Sequence, residues 1–297
     1  MNYPRFYARW SRFCYIKLPG PLFIRRALMG ALPSPGLTNH EAQGVRFMLD
    51  PRDLVQANIL VDGVWSTALT RWWQVLAADA GVVLDVGAHI GYFSHIAKVA
   101  APGAHIIAFE PNPRMRVQFE QIVQANHFTN VEVVAAAAAA EQGEVTLYIR
   151  ERFEPGASSI LNRTLSDGAL LVPAVNLDVF LDEKNIAQVD LLKMDIEGAE
   201  IFAVQGMRQG LLAGRYRLIV FDIHNRLLTE EQVRTLVSLL WEAQYHLYRL
   251  EPDELVPLTS GEAPPDETLA VHAARFPLLD AGPGERIRYP QRSSTIQ

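Results

Sequence analysis

The sequence predicts an α/β protein with a central, mostly parallel sheet, helices on both of its faces, and a helical extension at the N-terminus. Three observations lead there. From Val82 onward, short β-branched runs alternate with stretches of helical period, the pattern of strand–helix–strand units. Breaks such as Gly87 and Pro102-Gly103 fall between these runs, where turns are needed. The first 40 residues lack the alternation and combine aromatic with basic side chains instead.

Residues 1–40 hold Tyr3, Phe6, Tyr7, Trp10, Phe13, Tyr15 and Phe23, are broken at Pro19-Gly20-Pro21, and end at Pro33, Pro35 and Gly36. They read as two short helices packed on the main domain. Two sharper readings stand beside that one: a lid over the pocket, or a peripheral foot on an anionic membrane surface. The extension carries Arg5, Arg9, Arg12, Lys17, Arg25 and Arg26 and no acid. The whole chain of 297 residues has a net charge of −6, so the remainder carries −12. A body of that charge repels phosphate backbones and predicts no nucleic-acid partner. The single Cys14 excludes a disulfide framework, no apolar run is long enough for a bilayer, and charges occupy the place of a secretory apolar stretch. The expectation is a cytoplasmic protein.

Residues 41–80 read as an N-terminal cap region, 81–275 as the main α/β domain and 276–297 as a tail. Val82 to Val86 is the first strand of the domain. Ile90, Phe93, Ile96 and Ala97 then recur at helical spacing. His105 to Phe109 is the next strand. Asn112 followed by Pro113 starts a helix as cap and first-turn proline, with Met115, Phe119, Ile122 and Val123 on its buried side. Val131 to Val134, Val189 to Met194 and Arg217 to Ile223 read as further strands, and Glu144 to Ile149 as an extra one. Thr229 and Gln232 form a capping box. Arg152 to Asp167, with Gly156, Ser158 and Ser159, reads as a loop over the active edge. Ala135 to Ala140 carries no signal of its own. Right-handed crossovers put every strand's carboxyl end on one edge, where ligands bind.

Four constellations on that edge carry chemistry. In Asp85-Val86-Gly87-Ala88-His89-Ile90-Gly91 an acid leads and the glycines are four apart, unlike the dinucleotide spacing. Gly87 permits a tight turn and Gly91 lets the following helix approach the sheet. A leading Asp85 suits a ligand with a positive ammonium, as methionine-derived ligands have; a capping acid beside turn glycines is the plain alternative. Glu110, closing the second strand, can accept both hydroxyls of a ribose. Lys193, Asp195, Glu197 and Glu200 cluster where the third strand ends, with Glu197 and Glu200 in a helix's first turn. His224 follows Phe221-Asp222-Ile223, where a neutral imidazole can take a proton from a hydroxyl.

The segments Asp85-Val86-Gly87-Ala88-His89-Ile90-Gly91-Tyr92-Phe93-Ser94, Phe109-Glu110-Pro111-Asn112, Lys193-Met194-Asp195-Ile196-Glu197-Gly198-Ala199-Glu200 and Asp222-Ile223-His224 together resemble FkbM-type methyltransferases. The resemblance runs from about Gly44 to the mid-220s. It implies a Rossmann-like class I methyltransferase fold and methyl transfer from S-adenosylmethionine, usually to a hydroxyl of a natural product, sugar or glycan. The cofactor residues are then Asp85, Gly87, His89, Gly91, Phe93, Glu110, Pro111 and Asn112. His224 or Asp195 is the base, with Glu197 and Lys193 shaping the charge around the acceptor. A divalent cation on Asp195, Glu197 and His224 is the lesser alternative to a metal-free site. His89 stands where the family more often has asparagine, Asp222 where it has glutamate, Ala137 to Ala140 where serine and aspartate are frequent, and Ser66 where an acid often follows the aromatic. Two other classes fit parts of the pattern: a nicotinamide-dependent oxidoreductase, against which the glycine spacing counts, and a non-catalytic cofactor-binding scaffold, against which the acid cluster counts.

Overall fold

A computed structural model gives the structure, which describes residues 2–19, 22–150, 158–161, 166–274 and 282–290. Asn2 accepts the Arg5 N–H and Pro4 sits in the first turn of α1 (Tyr3–Arg12), where its missing N–H is no loss. A wider turn over Phe13–Lys17 leads to α2 (Leu22–Met29). Strands β1 (Thr38–Ala42) and β2 (Val45–Leu49) form a hairpin that turns on Gln43 and Gly44, both at positive φ, as two-residue hairpins require. Asp53 caps α3 (Leu54–Asp62), which Gly63 closes in the left-handed conformation. Helix α4 (Thr67–Ala77) follows. Tyr7, Ala8, Ser11 and Cys14 are buried, and the Arg5 side chain donates to the Leu60 carbonyl at 3.0 Å, so the extension is packed onto the domain.

The domain proper runs β3 (Val82–Val86), α5 (Tyr92–Ala100), β4 (His105–Phe109), α6 (Pro113–Ala125), β5 (Val131–Val134). A small sheet follows, from β6 (Ala137–Ala138), β7 (Gly143–Ile149) and β8 (Gly168–Val175). The chain returns through α7 (Leu177–Glu183), β9 (Val189–Met194), α8 (Glu200–Gly206), α9 (Arg208–Leu212) and β10 (Tyr216–Asp222). It ends with α10 (Glu230–Glu242), β11 (Tyr245–Leu250), β12 (Glu254–Pro257), β13 (Glu267–His272) and β14 (Ile287–Arg288).

Among the described residues the main sheet has nine strands in the order β14-β12-β11-β13-β10-β9-β3-β4-β5. The five from β10 to β5 are parallel to their neighbours. The flank of β13, β11, β12 and β14 is joined by antiparallel pairs. The sequence reading of a mostly parallel sheet therefore describes the ligand-binding half, and the antiparallel flank corrects it for the rest. The flank lies outside the strand–helix alternation read from the sequence, since β12 follows β11 and β13 follows β12 with no helix between them.

Alternation along the central strands feeds two cores. Val83, Ile106, Leu191 and Val220 face the side of α4, α5 and α6, while Leu84, Ile107, Leu192 and Ile219 face α7 through α10. Helices thus cover both faces, which is why these strands are apolar at most positions. Residues 287–288, inside the segment read as a tail, pair with β12, because that edge offers unpaired backbone groups. Of the expected loop at 152–167, residues 158–161 and 166–167 are described; Gly156 lies outside the described residues, as do 275–281 and 291–297. No helix among the described residues is long and apolar enough to cross a membrane.

Candidate functional site

The carboxyl ends of β3, β4, β9 and β10 open into one cavity of about 230 Å³. Parallel register brings their last residues level: Val86 pairs with Phe109 and with Met194, and Phe221 with Met194. The residues just beyond, in four separate stretches of sequence, therefore share one rim.

One end is built on β3 and β4. Glu110 is buried, and each carboxylate oxygen accepts one backbone N–H, from His89 at 2.8 Å and from Asn112 at 2.7 Å. Burial pushes its carboxyl up to about 7, against the pull of those N–H groups and of the His89 charge. Asp85 lies deeper, with Oδ2 accepting both the Ser94 N–H (3.1 Å) and its hydroxyl (2.7 Å). It therefore ties β3 to the first turn of α5, the plain role that the sequence left open. Its other oxygen makes no hydrogen bond to the described residues, and the side chain still lines the cavity.

Gly87 is at φ +83°, and a Cβ there would overlap the Asp195 carbonyl; β3 and β9 can approach at their tips only because it is glycine. Gly91, at φ +77°, meets the Phe119 ring, so the close approach it permits is to α6 rather than to the sheet. His89 adopts φ +55°, an uncommon conformation for a residue with a side chain. Its Nε2 lies 3.3 Å from Asp53 Oδ2. Burial disfavours the charged ring, but the Asp53 carboxylate outweighs it and raises the imidazole's affinity for its proton.

The other end is built on β9 and β10. The Lys193 Nζ is buried, 2.8 Å from Asp195 Oδ2 and 4.9 Å from the centre of the Phe93 ring. Burial opposes its charge, yet Asp195 and Asp85 hold it protonated. Burial likewise pushes Asp195 up, and the cations of Lys193 and His224 bring it below the usual carboxylate range. His224 Nε2 is 3.7 Å from Asp195 Oδ1 and 3.8 Å from Glu197 Oε2, while Nδ1 is 3.1 Å from Glu200 Oε1. Burial alone would lower the imidazole, but the Glu200 hydrogen bond and the Asp195 and Asp222 charges raise it to about 10. Asp222, beside them, is pushed up to about 7 by burial and by Asp195.

Two expectations change here. The carboxylates that converge on His224 favour its protonated form over the neutral ring read from the sequence. Glu197 is not in a helix: it sits at φ +54° in the turn before α8, which starts at Glu200. Glu200 is fully buried and organises that turn, accepting from the Ile196 and Gly198 N–H groups.

Asp85, Gly87, His89, Phe93, Glu110, Pro111, Lys193, Asp195, Glu197 and His224 all line the cavity. Gly91 and Asn112 do not. The Asn112 side chain caps α6 through Arg114 and reaches Ser158 Oγ at 3.2 Å, so it supports the wall from behind. Sequence reasoning did not place Asp53, Leu54 or Ala136 there, and it reached Ala137 and Ala138 only through the family resemblance. The alanine run, which carried no periodic signal, supplies a wall of small side chains. Asp195, Glu197 and His224 are also a trio whose ligand atoms lie within 4.8 Å of one another.

Fold and rim together define a doubly wound α/β protein with a buried carboxylate, Glu110, just after β4. Residues 85–250 match the family model of the methyltransferase FkbM domain, which spans more than half of the chain. The chain belongs to the FkbM methyltransferase family. It is 29% identical over 224 residues to the AMB antimetabolite synthetase AmbE of Pseudomonas aeruginosa, covering 64% of this chain and 10% of that protein. The hexuronic acid methyltransferase AglP of Haloferax volcanii is 22% identical over 230 residues, 71% of this chain and 87% of that one. Among solved structures, the precorrin-6y C5,15-methyltransferase of Geobacter metallireducens overlays with a TM-score of 0.41 at 15% identity, covering 69% of this chain and 87% of that one.

Proposed function

We propose that the chain transfers a methyl group from S-adenosylmethionine to a hydroxyl oxygen of a small-molecule or glycan acceptor. The observation that carries this reading is Glu110, whose two oxygens are each oriented by one backbone N–H and keep lone pairs for the two hydroxyls of a ribose. The other residues fit the same cofactor. Asp85 and the buried acids around the cavity suit a ligand bearing an ammonium and a sulfonium, and Ala136 to Ala138 leave room for a flat base. The hexuronic acid methyltransferase among the relatives supports a sugar-type acceptor.

S-adenosylmethionine supplies a methyl group that is already activated. The chain's own residues orient the acceptor, exclude water and hold its proton. Lys193 and His224 are cationic, so neither accepts a proton at neutral pH. Asp222, raised to about 7, matches the task of a base near its working pH. Asp195, clamped between Lys193 and His224, balances those two cations and leaves the hydroxyl's single proton to Asp222. Glu197, on its turn above them, sets the charge of the mouth. A divalent cation on Asp195, Glu197 and His224 is the second reading, favoured by their mutual distances.

Titration calorimetry with S-adenosylmethionine, S-adenosylhomocysteine and NAD tests the cofactor assignment. The first two are expected to bind and NAD not to; binding of NAD alone overturns it. A radiolabelled methyl donor offered with sugars, glycans and hydroxylated natural products then tests the acceptor class. Label on nitrogen or carbon rather than oxygen overturns the hydroxyl assignment.

A further inference from the structure

The N-terminal helical hairpin of α1 and α2 leaves an apolar and basic face that the fold does not use. Its aromatics divide by chemistry. Tyr3, Tyr7 and Trp10 each turn a polar atom inward, donating to the carbonyls of Pro33 (2.6 Å), Met29 (3.4 Å) and Leu28 (3.1 Å). They hold α2 and the segment after it against α1. Phe6 and Phe13 have no polar atom to give, and they stay outside, 41% and 46% exposed. Ile16 is 53% exposed beside them, with Ile24 and Leu37 also outside.

Phe6, Arg9 and Phe13 follow one another at three and four residues and so share one stripe of the helical surface. Arg9 and Lys17 are exposed along it, and residues 1–40 contain no acid. The opposite stripe of Tyr7, Ala8, Ser11 and Cys14 is buried, where α1 rests on α3. The hairpin is thus anchored to the domain on one side and presents bare phenyl rings flanked by cations on the other.

We infer that this face docks the protein on an anionic lipid surface. Charge complementarity chooses that occupant. The stripe itself is purely cationic, whereas the remainder of the chain carries −12 and is repelled by the same surface. The molecule can therefore approach an anionic bilayer by this face and not by others. Phe6, Phe13 and Ile16 then enter the boundary between headgroups and acyl chains while Arg9 and Lys17 meet the phosphates. Insertion is peripheral, since α1 has 10 residues, too few to span a bilayer. The inference does not depend on the reaction proposed for the cavity.

Sedimentation of the full chain with vesicles tests it. Vesicles of phosphatidylcholine with about a third phosphatidylglycerol are expected to carry the protein down at low salt, and phosphatidylcholine alone to leave it in solution. Added salt weakens the first result. Arg9→Ala with Lys17→Ala is expected to reduce partitioning about thirtyfold, and Phe6→Ser with Phe13→Ser at least about tenfold. Circular dichroism and thermal unfolding check that each variant stays folded. Failure to bind either vesicle overturns the inference, and equal binding to both overturns its electrostatic half. A dimer in solution that dissociates on Phe6→Ser with Phe13→Ser, without vesicle binding, assigns the face to a second copy instead.

Discussion

The Nδ1 of His224 and the Oε1 of Glu200 lie 3.1 Å apart, with the Glu200 side chain fully buried. That contact fixes the ring so that Nε2 points toward Asp195 and Glu197. It also raises the imidazole to about 10. A histidine raised above its unfolded value stabilises the fold fully below about 6.5 and loses that contribution as pH climbs toward 10. Stability of the ligand-free protein is therefore expected to fall between pH 7.5 and 9, read as a decreasing melting temperature. Glu200→Gln is expected to lower the His224 value, followed by NMR of its ring protons, and to flatten the slope. A slope unchanged in that variant assigns it to other groups.

Glu110 is expected to control cofactor affinity and its pH dependence. Glu110→Ala weakens binding of S-adenosylhomocysteine by about 2–4 kcal/mol, the cost of one or two charge-assisted hydrogen bonds. Its carboxyl stands at about 7 in the ligand-free protein, and the ribose hydroxyls donate to the ionised form. Affinity therefore declines as pH drops below about 7, a trend that calorimetry at several pH values shows and that Glu110→Gln removes.

Asp222 is expected to carry the acid limb of the pH–rate profile near 7. Asp222→Asn lowers turnover about 10²–10⁴-fold with cofactor affinity nearly unchanged and abolishes that limb. His224→Gln is less damaging in this scheme, because an imidazolium at neutral pH is not the base. The reverse ranking returns the base to His224. Loss of activity on chelation, restored by a divalent cation, instead supports the metal reading.

Gly87→Ala is expected to destabilise the protein by at least about 2 kcal/mol in urea unfolding. The new Cβ meets the Asp195 carbonyl at a backbone φ of +83°. An unchanged midpoint contradicts the close approach of the two strand tips.

Several elements are legible from sequence because their signals are local. Val82–Val86, His105–Phe109, Val131–Val134 and Val189–Met194 show as apolar β-branched runs, and Asn112-Pro113 and Thr229–Gln232 show as caps. Asp85, Glu110, Asp195 and His224 show as polar residues at or just after strand ends. The order of those strands makes them neighbours once a parallel sheet is assumed.

What the sequence by itself determined is the set of chemical groups and their places at strand tips, since strand period and turn residues depend on nearest neighbours along the chain. Tertiary structure alone decided their charge states. His224 is one more polar residue after a strand until β9 and the turn at Glu197 bring carboxylates around it and make it a cation. Packing of α5 on β3 gave one oxygen of Asp85 to Ser94, while the side chain still lines the cavity. Asp53 and Ala136 to Ala138 entered the cavity wall only because distant segments fold over the same edge. Proton affinity and cavity shape are set by groups far apart in sequence and a few ångströms apart in space, and burial removes the water that would otherwise screen them from one another.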